Sequence, residues 1–111
     1  MLRLMNSAMM PNDGIYTRRQ ISFDEFKEIF DRHSEFISYI GYPQLARILS
    51  ANLKTRVDVN LEQTELRDGD KILVAKLPYR VPRGEKGQGR HGGRLQDYEF
   101  FYITYRREIE E

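Results

Sequence analysis

The chain has 111 residues, the length of one domain, and its 18 lysines and arginines against 17 aspartates and glutamates leave a net charge of +1, so any nucleic-acid site has to be local rather than spread over the surface. Cysteine is absent, which excludes a disulfide framework and a cysteine-ligated metal and fits a cytoplasmic protein. No apolar run approaches the ~18 residues of a membrane span, and Met1 to Asn6 lacks the apolar stretch of a signal peptide.

Leu2, Leu4 and Asn6 alternate with Arg3 and Met5, so the chain is expected to open with a strand ending at Asn6-Ser7. Pro11-Asn12-Asp13-Gly14 is a turn signature. Tyr16 to Ile21 reads as extended, with Arg18 and Arg19 inside it. Ser22 and Glu25 have the spacing of a capping box, and Phe23, Phe26 and Phe30 recur at helical spacing, which predicts a helix from Phe23 to Arg32. Phe36 to Ile40 is a short apolar strand. Gly41 follows, either for a positive φ or for a close backbone approach. Pro43 suits the first position of a helix to Leu53, with Leu45, Ile48, Leu49 and Leu53 as its buried stripe and Lys54 and Arg56 at its negative end. Val57 to Leu66 reads as another extended segment, Arg67 to Asp70 as a tight turn, and Lys71 to Leu77 as a central strand. Tyr98 to Tyr105, rich in aromatic and β-branched residues, is the last strand; Arg106 to Glu111 is a charged tail expected to fray. The class is α/β or α+β: one small domain over 1–105 with a mostly five-stranded mixed sheet flanked by helices.

Two places carry chemistry. The strand–turn–helix junction at Ile40-Gly41-Tyr42-Pro43 sets Tyr42 at a helix N-terminus, a natural place for a phosphate. The segment 80–94 holds five of the eight glycines, and its Arg80, Arg83, Lys86, Arg90 and Arg94 face one acid, Glu85. Exposed backbone N–H groups and guanidinium forks suit an anion, although the segment lacks the P-loop pattern. His91 lies within it, where neighbouring arginines favour the neutral imidazole, usable as a base or donor. His33 ends the first helix, where a positive charge suits the dipole, and is read as structural. No paired-histidine metal motif, nucleophile elbow or dinucleotide fingerprint is present, so neither a metal nor a cofactor is expected.

Several pieces together resemble the small anti-CRISPR ring nucleases of archaeal viruses and phages. They are Asn6-Ser7 closing the first strand, Pro11-Asn12-Asp13-Gly14 with Tyr16, the helix opening at Ser22, Ser38 with Ile40-Gly41 before a helix to Leu53, Gly69-Asp70 before the apolar strand, and Arg80 closing it. The resemblance implies a homodimer in the host-cell cytoplasm that binds a cyclic oligoadenylate, cyclic tetra-adenylate above all, across its interface. It implies metal-free cleavage in which the ribose 2′-hydroxyl attacks the adjacent phosphate, leaving a 2′,3′-cyclic phosphate, while a histidine protonates the departing 5′-oxygen. Type III CRISPR signalling would be modulated as a result.

On the matched positions, Asn6 and Ser7 would contact the ligand, Gly41 would offer its N–H to a phosphate, and Arg80 would hold the anion or support the pocket. Ile40, Tyr42, Gln44, Arg83 and Arg90 complete the expected binding set. The family's histidine follows the Ile-Gly pair, where this chain has Tyr42. Its glutamate follows the matched arginine by three residues, where this chain has Arg83. A basic residue follows its asparagine, where this chain has Leu61 after Asn60. Tyr42 and His91 are therefore the candidate proton donors, although a phenol near pKa ~10 matches neutral pH poorly. The other reading of the residues is a non-enzymatic module that binds nucleic acid or a protein partner through 80–94.

Overall fold

The computed structural model describes residues 1–10, 12–62, 65–78 and 93–107. The elements in chain order are β1 (Leu2–Met5), β2 (Ile15–Ile21), α1 (Phe23–Asp31), β3 (Phe36–Tyr39), α2 (Pro43–Leu53), β4 (Lys71–Lys76) and β5 (Glu99–Arg106), with a short 3-10 turn at Leu95–Asp97. They make a single small α+β domain whose five strands form one mixed sheet of order β2-β5-β4-β1-β3. β1 pairs in parallel with β3 and β4, and β5 runs antiparallel between β4 and β2. The carboxyl ends of β1, β3 and β4 therefore lie together at one end of the sheet.

Burial follows from this order. β1 has neighbours on both edges and cover on both faces, so all four of its residues are buried, Arg3 included. One face carries both helices: Leu2, Leu4, Leu73, Ala75 and Phe100 pack with Phe26, Ile29 and Phe30 of α1 and with Leu45, Ala46, Leu49 and Leu53 of α2. The opposite face holds Met5, Ile72, Val74, Phe101, Ile103 and Tyr105, covered in part by Leu66, Met10, Tyr16 and Tyr39. Ile48, expected in the buried stripe of α2, packs only partly buried, and Ala46 takes the deeper place.

The helix starts follow from their caps. Ser22 Oγ accepts from the Glu25 N–H at 3.2 Å, but the reciprocal half of the capping box is not made, because the Glu25 carboxylate takes the Arg19 guanidinium at 2.8 Å. Ser22→Ala is expected to cost about 1 kcal/mol, the usual loss of a hydroxyl N-cap, measured as a shift in urea midpoint at constant slope. Pro43 opens α2 behind an extended Tyr42, and Lys54 closes it in the left-handed region at φ 55°. Arg56 does not cap α2; its guanidinium is turned to Asp58 at 2.8 Å.

Two expected segments differ. Val57 to Leu66 is expected to be extended, but its described residues, 57–62 and 65–66, form no strand; among them Val59 makes a single bridge, parallel to Ile40. Side chains hold this stretch in place of a ladder. Ser50 Oγ accepts from the Val57 N–H, Ser38 Oγ donates to the Asp58 carbonyl, and Asn60 Nδ2 donates to the Ser38 carbonyl. Arg106 and Arg107, expected in a frayed tail, are held, while 108–111 lie outside the described residues. Arg106 pairs with Ile15 inside β5, and the Arg107 N–H donates to Asp68 Oδ1. No helix among the described residues is long and apolar enough to cross a membrane.

Candidate functional site

The three parallel strand ends build the site. β1 runs out into Asn6-Ser7, β3 into Ile40-Gly41-Tyr42, and β4 into Leu77. Asn6 Oδ1 accepts from the Gly41 N–H at 2.9 Å and ties two of these ends together across 35 positions of sequence. Gly41 serves close approach rather than a positive φ: a Cβ there would sit 3.1 Å from Leu61 Cδ2 and 3.8 Å from Asn6 Oδ1. Ser7 Oγ accepts from the Met9 N–H and turns the chain along the edge of the site. On the far side, the Asn60 N–H donates to the Ile40 carbonyl at 2.9 Å and Asn60 Oδ1 accepts from the Glu62 N–H, which fixes 60–62 beside the end of β3.

Between these walls lies a cleft of about 890 Å³. Asn6, Ser7, Gly41 and Tyr42 line one part of it, Asn60, Leu61 and Glu62 another, and Tyr39, Arg18 and Lys76 line it from the strands. Its place at the carboxyl ends of parallel strands is where open sheets of this kind take ligands, and its size is that of a small-molecule site. Met9 and Leu61 are exposed apolar side chains at its margin. Among the described residues no group of three or more His, Asp or Glu is placed to hold a metal ion.

Of the residues singled out by sequence, Asn6, Ser7, Gly41 and Tyr42 come together here. The Gly41 N–H is already engaged by Asn6, so an incoming phosphate oxygen would have to take the place of the amide oxygen. Ile40 has a fully buried side chain packed in the core with α2, and its N–H and carbonyl are taken by Ser38 Oγ and the Asn60 N–H, so it is placed to support the end of β3 beside the cleft. Gln44, half-buried at the second position of α2, is not among the residues that line the cleft. Arg80, Arg83, Arg90 and His91 lie outside the described residues. The chain leaves the described structure at Pro78, just past the cleft-lining Leu77, and rejoins it at Gly93, ahead of β5. His33 sits near Lys71 and the amino terminus, at the other end of the sheet. Partial burial, then the positive charges of Lys71, the terminal amine and Arg32, lower its pKa, so the helix end does not favour an imidazolium there.

Sequence reasoning missed Arg18, Tyr39 and Lys76 as cleft residues. Arg18 stands opposite Ile103 and Lys76 opposite Glu99, pairings set by long-range register that no local pattern encodes.

The sequence model of the STIV B116-like family matches residues 2–91. The chain belongs to the STIV B116-like family. Two viral proteins are also similar to the chain. Uncharacterized protein ORF117 of Acidianus two-tailed virus is 30% identical over 88 residues, 76% of this chain and 75% of its own. Uncharacterized protein 26 of Sulfolobus islandicus filamentous virus (isolate Iceland/Hveragerdi) is 29% identical over 89 residues, 77% of this chain and 75% of its own. Among solved structures, B116 of Sulfolobus turreted icosahedral virus superposes with a TM-score of 0.66 at 14% identity, covering 92% of this chain and 97% of that one. At that identity the B116 likeness shows a shared fold. The cleft described above therefore sits on a STIV B116-like scaffold.

Proposed function

We propose that this STIV B116-like protein is a homodimeric binder of cyclic oligoadenylate, cyclic tetra-adenylate above all, in the host-cell cytoplasm, and that it thereby modulates type III CRISPR signalling. The observation that carries the reading is the cleft at the carboxyl ends of β1, β3 and β4, where Asn6, Ser7, Gly41 and Tyr42 converge beside Arg18 and Lys76. A ring of four identical nucleotides can share the twofold symmetry of an isologous dimer, so each chain would hold half of it. The sequence that follows the cleft-lining Leu77 carries Arg80, Arg83, Lys86 and Arg90, a composition that suits an anionic ligand.

If the ring is cut, the 2′-hydroxyl of one ribose gives up its proton to water as its oxygen bonds to the neighbouring phosphorus, the P–O5′ bond breaks, and the 5′-oxygen takes up a proton. The products are a 2′,3′-cyclic phosphate and a 5′-hydroxyl. Positioning of the 2′-oxygen in line with the leaving oxygen supplies much of the rate, and a general acid adds about a hundred- to ten-thousand-fold. Tyr42, in the cleft, is the described candidate for that proton; His91 is the other candidate. Cleavage is accordingly expected to be slow beside binding.

The test is to incubate the pure protein with labelled cyclic tri-, tetra- and hexa-adenylate at two salt concentrations. One tetra-adenylate ring bound per two chains, with slow appearance of linear product ending in a 2′,3′-cyclic phosphate, is the expected outcome. Absence of both binding and product for every ring overturns the proposal. Tight binding of long linear RNA with a steep salt dependence, and none of rings, would instead favour a nucleic-acid module.

A further inference from the structure

We propose that Arg18 and Lys76 form a paired cation site on the sheet wall of the cleft, mounted on the ring of Phe101, which holds a phosphodiester of the ligand. The inference rests on the anion-binding reading above and assigns the residues that carry the charge. Phe101 is buried in the centre of β5 and cannot swing away. The Arg18 guanidinium carbon lies 4.3 Å from its ring centroid and Lys76 Nζ lies 5.9 Å from the same centroid. The π-system of one ring thus attracts two positive charges, Arg18 from β2 on one side of β5 and Lys76 from β4 on the other. Both side chains line the cleft.

Among the described residues no carboxylate lies within ion-pair distance of Arg18 or Lys76, so none of them neutralises either charge. Glu99 stands directly across from Lys76 in the strand register, yet its carboxylate accepts from Gln20 Nε2 at 3.2 Å. Glu62 is the one acid among the described residues that line the cleft. Two like charges held near one ring repel each other, and an anion bound in the cleft that both line relieves that repulsion. A phosphodiester fits the pair: the planar guanidinium can bond both non-bridging oxygens, and the ammonium adds a point charge beside them. Both cations sit on strands rather than on a loop, so the site is preorganised.

The experiment compares the full chain with the Arg18→Gln/Lys76→Met double variant, by calorimetric titration of cyclic tetra-adenylate at several salt concentrations. Urea unfolding of both proteins checks that the fold is kept. The double variant is expected to stay folded and to lose at least tenfold in affinity, and its log–log salt slope is expected to flatten by about 0.7 for each phosphate that is no longer neutralised. Wild-type affinity and slope in the double variant overturn the assignment. Linear tetra-adenylate is titrated alongside. If the wild type binds the linear strand but no ring, and the double variant loses that binding, the ring reading fails and the cation site stands. If the wild type binds neither, both fail.

Discussion

Asp70→Ala is expected to lower stability by about 3–5 kcal/mol, the usual cost of removing one partner from a buried ion pair. Arg3 Nε donates to Asp70 Oδ2 at 2.8 Å, with only 6% and 4% of the two side chains exposed. The same carboxylate accepts from the Arg67 N–H at 2.7 Å, and the terminal amine lies 3.4 Å from its other oxygen. Arg3 Nη1 donates onward to the Tyr39 hydroxyl at 3.1 Å. Alanine at position 70 would leave a buried guanidinium without its counter-charge and the turn N–H without an acceptor. Chemical unfolding measures the loss. Arg3→Met/Asp70→Leu, which removes both charges, is expected to recover much of it. A single-variant loss below about 1 kcal/mol would show that the pair is not the anchor of β1. Because Tyr39 lines the cleft, the chain from Asp70 through Arg3 to Tyr39 also links the core to the site.

The pair also sets an acid limit. Burial alone would raise the Asp70 carboxyl, but the Arg67 N–H, Arg3 and the amino terminus outweigh it, so its folded pKa lies below the ordinary value. The stabilisation from a depressed carboxylate is fully present above the unfolded value, near pH ~3.9, and is lost as pH falls through that value towards the folded one. Unfolding free energy is therefore expected to drop as pH goes below about 4. In Asp70→Asn the same pH series is expected to be flatter.

Local chemistry made much of the fold legible. Ser22 ahead of a phenylalanine stripe and Pro43 behind Gly41 located both helix starts, because caps and proline act within one turn. The nearly continuous apolar run of β4 read as a central strand and is one. Val57 to Leu66 misled because its alternating valines look like a ladder, while the side chains of Ser38, Ser50 and Asn60 take the backbone groups instead. Arg3 alternates like a surface residue, yet its partner Asp70 lies 67 positions away. The cleft was half legible for the same reason. Asn6, Ser7, Gly41 and Tyr42 stand at strand ends that the sequence marks with turns, whereas Arg18 and Lys76 meet only once β2, β5 and β4 adopt their register.

Asn6→Ala and Asn6→Asp are expected to separate the two duties of the cleft's central residue. Alanine removes the acceptor of the Gly41 N–H and leaves a half-buried donor unpaired where two strand ends meet, a loss of about 1–3 kcal/mol. Aspartate keeps an acceptor of the same shape in the same place, so its stability is expected to stay close to wild type. It also brings a negative charge into the cleft that Arg18 and Lys76 line. In the unliganded protein those cations tolerate the new charge; against a phosphodiester the carboxylate competes for them and repels the ligand. Ring affinity is therefore expected to fall more than tenfold, at least about 1.4 kcal/mol, in the variant whose fold is intact. The Asn6 amide nitrogen makes no hydrogen bond to a described residue, so it can donate to a ligand oxygen, and aspartate loses that donor as well. Equal unfolding midpoints for the two variants would deny Asn6 its role in joining β1 to β3. Wild-type ring affinity in Asn6→Asp would place the bound anion away from this end of the sheet.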